Sequence, residues 1–204
     1  MRGRFITFEG GEGSGKSTHA ATLAQRLKAS GVAVALTREP GGSTGAETEA
    51  ILFAAARDDH VRNVIVPAIN SGTWIICDRF IDSTRVYQGA LGHVDQRLIR
   101  SLERVTVGPA VPDLTFILDV PAQVGLARAK SRRGREVADR FEAESMEFHE
   151  KLRQAYGALA AEEPRRCVVI DGRAPREVVS ERIWALVHER LLTRGADVAE
   201  TVAP

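Results

Sequence analysis

Residues Gly10-Gly11-Glu12-Gly13-Ser14-Gly15-Lys16-Ser17 match the spacing G-x-x-x-x-G-K-[ST] in full. Glycines at these positions let the backbone curl until successive N–H groups converge on one anion. The N-terminus of a following helix adds its partial positive charge. In that setting Lys16 is placed to reach the β and γ phosphates of ATP, and the Ser17 hydroxyl is a hard oxygen ligand for Mg2+. Thr18 completes the expected ATP-binding segment. A glycine-rich turn can match by chance, but here an apolar run precedes the loop and a helical pattern follows it, as the mechanism requires.

A second pair, Asp78-Arg79, closes the apolar run Ile75-Ile76-Cys77. Open α/β sheets gather ligands outside the carboxyl ends of their strands, so both residues are expected to face the phosphate loop. Asp78 suits ordering of the Mg2+ shell or orientation of an attacking group. Arg79 suits neutralising a transferred phosphoryl group. Alone, Asp-Arg after a strand is a common turn pair, and only the neighbouring loop gives it a chemical meaning.

Arg128, Lys130, Arg132, Arg133, Arg135 and Arg140 crowd one stretch around Gly134. A charge run is commonly a solvated face. It could also be a nucleic-acid patch, a regulatory surface or a lid over ATP. A lid over about 128–141 is the most economical reading, since the cluster follows a strand and Gly134 can act as its hinge.

The elements that must position these groups alternate. Phe5–Phe8, Val32–Leu36, Trp74–Cys77, Leu114–Leu118 and Val168–Ile170 read as five short strands. Helical patterns follow the phosphate loop, run from about Ile51 to Ile69, and recur at Ser83–Leu91, Gln96–Val107, from Ala122, at Glu142–Leu159 and at Arg176–Leu192. Strands alternating with helices predict an α/β fold of the P-loop NTPase type, a parallel five-stranded sheet covered by helices on both faces. One domain over 1–192 accounts for the pattern, with 193–204 as a frayed tail.

The chain has 204 residues and a formal net charge of +1, so no global field points to nucleic acid. No segment reads as a membrane span, and Cys77 and Cys167 end apolar runs without ligand spacing. Buried core thiols and a cytoplasmic location are expected. His19, His60, His93, His149 and His188 show no ligand spacing and receive no role.

Several segments together resemble the bacterial thymidylate kinases. They are Phe8–Gly13 with its loop, Thr37-Arg38-Glu39-Pro40-Gly41-Gly42, Leu52–Arg57, Asp78–Thr84, Tyr87-Gln88-Gly89, Pro112-Asp113-Leu114 and Asp139-Arg140-Phe141-Glu142. The resemblance covers almost the whole chain. It implies transfer of the ATP γ-phosphate to dTMP with Mg2+, by a homodimer. By the same resemblance Phe53 stacks on the thymine ring, Arg57 bonds its edge, and Thr84 and Gln88 complete the base pocket. Tyr87 closes the sugar's 2′ side, Arg79 and Arg38 hold the acceptor phosphate, and Glu12 lies near the acceptor sugar and phosphate. The loop itself lacks arginine at Gly11–Ser14. That resembles the branch in which the lid supplies the catalytic arginine, with Arg132, Arg133 and Arg135 as candidates.

Physical chemistry agrees with these roles without requiring them. An aromatic face is a tolerant platform for a base, and polar groups at its edge discriminate. Phe53 could equally be a core residue, and Tyr87 a packing residue with a satisfied hydroxyl. A P-loop kinase for another nucleoside monophosphate or a nucleoside would share the fold and the phosphate chemistry. A nucleotide-dependent switch ATPase would carry an Asn-Lys-x-Asp segment or a second loop lysine, which this chain lacks. A DNA-binding ATPase fits poorly with near-neutral charge.

One segment departs from the family pattern. The family has more helix and a loop after the Pro-Gly-Gly turn, whereas here Gly45-Ala46-Glu47 runs straight into Thr48-Glu49-Ala50-Ile51. We expect a missing segment, and so a break between Glu47 and Thr48, rather than a true deletion. Consecutive Cα atoms at about 3.8 Å would contradict this.

Overall fold

The structure is a computed structural model describing residues 2–38, 45–133, 141 and 143–193. Five parallel strands form one sheet in the order β2-β3-β1-β4-β5. They are β1 (Phe5–Gly10), β2 (Val34–Arg38), β3 (Trp74–Asp78), β4 (Leu114–Asp119) and β5 (Cys167–Asp171). β1 lies at the centre, with Phe8 opposite Asp78 of β3 and Phe116 of β4. All carboxyl ends therefore open on the same edge.

Residue alternation divides the core. Ile6, Phe8, Ile76, Leu114, Phe116 and Leu118 point to one face and pack against α1 (Lys16–Ala29) and α8 (Arg176–Val187). Phe5, Ile75 and Cys77 point to the other and meet Val61, Ile65 and Ile69. These come from the long helical run made of α2 (Ala46–His60), a π-helical turn at Val61–Ile65, and α3 (Val66–Asn70). On the same side Ile117 packs against α7 (Met146–Glu162). Burying a large aliphatic or aromatic side chain of this kind contributes about 1.5–3 kcal/mol, so the layers rest chiefly on this apolar surface.

That second face also carries a polar seam. Thr7 and Thr115 join through their hydroxyls at 2.6 Å, and the Arg166 guanidinium donates to Thr115 Oγ1 at 2.7 Å and, in bidentate form, to fully buried Asp82 at 2.6 and 3.0 Å. Asp82 lies on α4 (Ile81–Thr84), which runs into a π-helical turn at Arg85–Leu91. Arg85 extends the network to Glu103 on α5 (Gln96–Thr106) and to Glu163.

The strands match their expected positions within two residues. The helix expected from Glu142 starts instead at Met146, because Ser145 accepts the Phe148 N–H at 3.1 Å and caps it there. The expected break at Glu47–Thr48 is absent. α2 runs unbroken through both residues, and the Glu49 N–H donates to the Gly45 carbonyl at 2.9 Å. The short connection is thus a feature of this chain. Among the described residues no helix is long and apolar enough to cross a membrane. Cys77 and Cys167 are buried thiols, as expected. Residues 194–204 of the expected tail and 134–140 of the expected lid lie outside the described residues.

Candidate active site

β1 delivers the chain into the phosphate loop, and two glycines show why the loop needs them. Gly10 has φ 133°, and a Cβ there would lie 2.6 Å from the Leu118 carbonyl oxygen. Gly13 has φ 66°, and a Cβ would lie 1.9 Å from the Gly125 oxygen. Both positions combine left-handed backbone with close approach, which only glycine tolerates. Gly125 belongs to α6 (Ala122–Arg133), so this helix closes directly on the loop.

Lys16 opens α1 and is buried. Its ammonium donates to the Gly10 and Gly11 carbonyls at 3.1 and 2.8 Å. Burial, and next the neighbouring Arg79 charge, push it down to about 8. A phosphate placed at the loop would favour the charged form again. Ser14 is also buried, whereas Ser17 and Thr18 are exposed on the first turn.

Ser17 Oγ donates to Asp78 Oδ2 at the end of β3. The other Asp78 oxygen, Oδ1, is buried and has no hydrogen-bond partner. A cavity of about 300 Å³ lined by Ser17, Thr37, Arg38 and Asp78 lies beside them. Two oxygen donors, one an orphaned carboxylate oxygen, suit a hard divalent cation such as Mg2+. Arg38 projects here from β2, its Nε 3.7 Å from Asp78 Oδ2 and its side chain 68% exposed. Arg38 is therefore placed with Ser17 and Asp78, at the edge of the site.

Beyond β3 the chain turns sharply. Arg79 has φ 67°, a left-handed conformation disfavoured for a residue with a Cβ. The turn aims the guanidinium at the phosphate loop, where it pairs with Glu12. Arg79 also donates to the Tyr87 hydroxyl at 3.2 Å and lies 5.2 Å from the centre of its ring. Tyr87 in turn donates to Glu12 Oε1 at 3.3 Å. Burial alone would raise the Glu12 carboxyl, but Lys16 and Arg79 outweigh it and hold it at about 2. Glu12, Arg79 and Tyr87, separated in sequence, thus form one charged cluster at the mouth of the loop.

The residues expected to contact a base lie on α2, α4 and the π-helical turn after it. Arg57 on α2 is 2% exposed and donates to Thr84 Oγ1 at 2.9 Å, with its guanidinium 5.4 Å from the Phe80 ring centre. Gln88, on the π-helical turn, donates to buried Glu49 Oε2 at 3.1 Å. Phe53 is half-buried on the same helix as Arg57. Such π-turns recur where functional side chains must be re-aimed, and this one carries both Tyr87 and Gln88.

Among the lid arginines, Arg132 is exposed near the end of α6, Arg133 is that helix's last residue, and Arg135 falls outside the described residues. Arg128, the first residue of the expected lid, bonds to the body of the fold. It donates to the Gly172 carbonyl at 2.8 Å and ties α6 to the turn after β5. Sequence reasoning missed Glu9, Glu49, Ser83 and Tyr156. The one available signal was a carboxylate ending the apolar strand Phe5-Ile6-Thr7-Phe8, next to the loop.

Comparisons with known proteins identify the family. A family model described as thymidylate kinase matches residues 8–48 and 44–183. The chain is 56% identical to the thymidylate kinase of Nitrobacter winogradskyi over 213 aligned positions, covering 96% of this chain and 93% of that protein. It is also 56% identical to the thymidylate kinase of a Bradyrhizobium strain, covering 96% and 94%. The solved thymidylate kinase of Ehrlichia chaffeensis superposes with a TM-score of 0.74 at 30% identity, covering 92% of this chain and 100% of that one. The 213-position alignment is longer than the chain's 204 residues, and the family match divides at residues 44–48. Its relatives therefore carry residues near the start of α2 that this chain lacks.

Proposed function

The chain belongs to the thymidylate kinase family, and we propose that it transfers the terminal phosphate of ATP to dTMP, giving dTDP and ADP. The observation that carries this reading is the Glu12–Arg79–Tyr87 cluster beside the phosphate loop, across from the Ser17–Asp78 pair. One side suits ATP phosphates and a cation, and the other suits an acceptor phosphate and sugar.

Loop residues Gly10 to Thr18 bind ATP, with Lys16 leaving the loop carbonyls to meet the β and γ phosphates. Arg79 holds the acceptor phosphate and stabilises charge as the phosphoryl group moves. Arg38 approaches from the cation side. Thr84 orients Arg57 for the thymine edge, Gln88 lies beside it, and Phe53 supplies the stacking face. Tyr87 limits room at the sugar's 2′ position. Ser17 and Asp78 would hold Mg2+, which would supply charge neutralisation for the phosphates. One or more of Arg132, Arg133 and Arg135 completes the site on closure, excluding water as a competing acceptor.

The protein has no nucleic-acid or membrane role in this reading. Two buried thiols fit a reducing compartment, so we place it in the cytoplasm. Exposed Leu52 on α2 and Val105 on α5, at 54% and 67%, suit the interface of a homodimer.

ADP release with ATP and Mg2+ tests the substrate. dTMP, dUMP, UMP, CMP, AMP, GMP and thymidine are compared, with Lys16→Ala as control. Strong dependence on dTMP, lost in the variant, is expected. Equal or greater turnover on another acceptor overturns the base-pocket assignment.

A further inference from the structure

Glu9 precedes the phosphate loop, and its side chain is fully buried. It accepts from the Phe80 N–H at 2.8 Å, the Ser83 N–H at 3.2 Å, the Ser83 hydroxyl at 2.7 Å and the Tyr156 hydroxyl at 3.0 Å. A carboxylate this deep survives only when donors converge on it. These donors come from the turn after β3, the first turn of α4, and α7. The carboxylate therefore ties together three of the elements around Arg79.

We propose that Glu9 is a positioning residue for Arg79, holding the acceptor-phosphate guanidinium in its left-handed turn. This rests on the reading of Arg79 given above. The Arg79 N–H is fixed to the Phe8 carbonyl at 3.1 Å, and the next N–H, of Phe80, is fixed to Glu9. Anchoring both peptides sets the turn that aims the side chain at Glu12 and Tyr87. The second route runs through Ser83. Its hydroxyl gives its proton to Glu9, which leaves an oxygen lone pair for Arg79 Nη1 at 3.5 Å.

Glutamine cannot reproduce this arrangement. With its oxygen on the Phe80 and Ser83 N–H groups, its Nε2 donates toward Ser83 Oγ and Tyr156 and reverses those hydroxyls. The Ser83 proton must then leave Glu9, turning to Tyr156 Oη at 3.2 Å or facing the Arg79 guanidinium, donor against donor. With the amide flipped, Nε2 meets the Phe80 N–H instead. Volume and burial are kept in both cases, and the hold on Arg79 is lost.

The test combines Glu9→Gln, Arg79→Ala and their double variant, each with full ATP and dTMP kinetics and a melting curve. A milder variant, Ser83→Ala, removes only the hydroxyl route. Glu9→Gln is expected to raise the dTMP KM about tenfold, with the ATP KM changed less than threefold. In the Arg79→Ala background it should add less than twofold, and Ser83→Ala should raise the dTMP KM about threefold. A uniform loss on both substrates alongside a lower Tm would overturn the proposal, as would a full tenfold effect without Arg79. If Glu9→Gln does not fold, an unchanged dTMP KM in Ser83→Ala overturns it. An Arg79→Ala variant with normal dTMP kinetics would instead contradict the role given to Arg79 itself.

Discussion

Glu12 of the phosphate loop and Arg79 of the turn after β3 form a partly buried ion pair, and Tyr87 hydrogen-bonds both. The loop proposed to bind ATP thereby touches the arginine proposed for the acceptor. Neither partner can shift without moving the other substrate's site.

Arg79→Lys keeps the charge but loses the planar fork and its stacking on Tyr87. We predict a fall of about 100-fold in kcat/KM for dTMP with less than a threefold change in the ATP KM. Steady-state kinetics varying each substrate in turn measure this. A loss confined to ATP would place Arg79 on the wrong substrate.

Asp78→Asn keeps an acceptor for Ser17 but removes the charge beside the orphaned oxygen. The Mg2+ concentration for half-maximal turnover should rise about tenfold. ATP binding without metal, read by calorimetry, should change less than threefold. Equal loss with and without metal would mean that Asp78 supports the loop and not a cation.

Much of this site was legible in the sequence because its signals are local. The phosphate loop is one unbroken motif, and Asp78-Arg79 follows an unmistakable apolar run. The residues proposed for the base pocket were singled out only through family resemblance, since Phe53 and Tyr87 are also ordinary packing residues. Glu9, Ser83 and Tyr156 were not legible, because the contact between Glu9 and Tyr156 joins residues 147 positions apart. Nor could the sequence show that α2 would close across Glu47–Thr48 without strain.

Glu9 also makes stability depend on pH. Burial, and then the Asp82 charge, push its carboxyl up to about 7, against the opposing pull of Ser83, Arg79 and Phe80. Tyr156 on α7 faces it as well. Below about pH 7 the folded chain thus holds a proton that the unfolded chain releases nearer 4.5, and the carboxylate that accepts all four donors is the form present above that pH. That contribution to stability is lost as pH rises through about 7, and Glu9→Gln has none to lose. The Tm of the variant relative to wild type should rise by roughly 5 °C between about pH 5 and pH 8. A difference that stays flat across this range would mean that Glu9 is ionised throughout.

The buried Asp82–Arg166 pair predicts a purely structural loss. Arg166→Met leaves fully buried Asp82 with only Arg85, at 3.3 Å, to compensate its charge. We expect about 3–5 kcal/mol of destabilisation, or a Tm lower by roughly 10 °C. Adding Asp82→Asn should recover part of it. Thermal unfolding of the single and double variants decides, and an unchanged single variant would show the pair to be dispensable.

The central claim is phosphoryl transfer to dTMP, and phosphorus NMR of the reaction mixture tests it most directly. With ATP, Mg2+ and dTMP the account predicts dTDP and ADP appearing in equal amounts, and neither with Lys16→Ala. ATP consumed without dTDP, or ATP bound with no turnover at all, would contradict it.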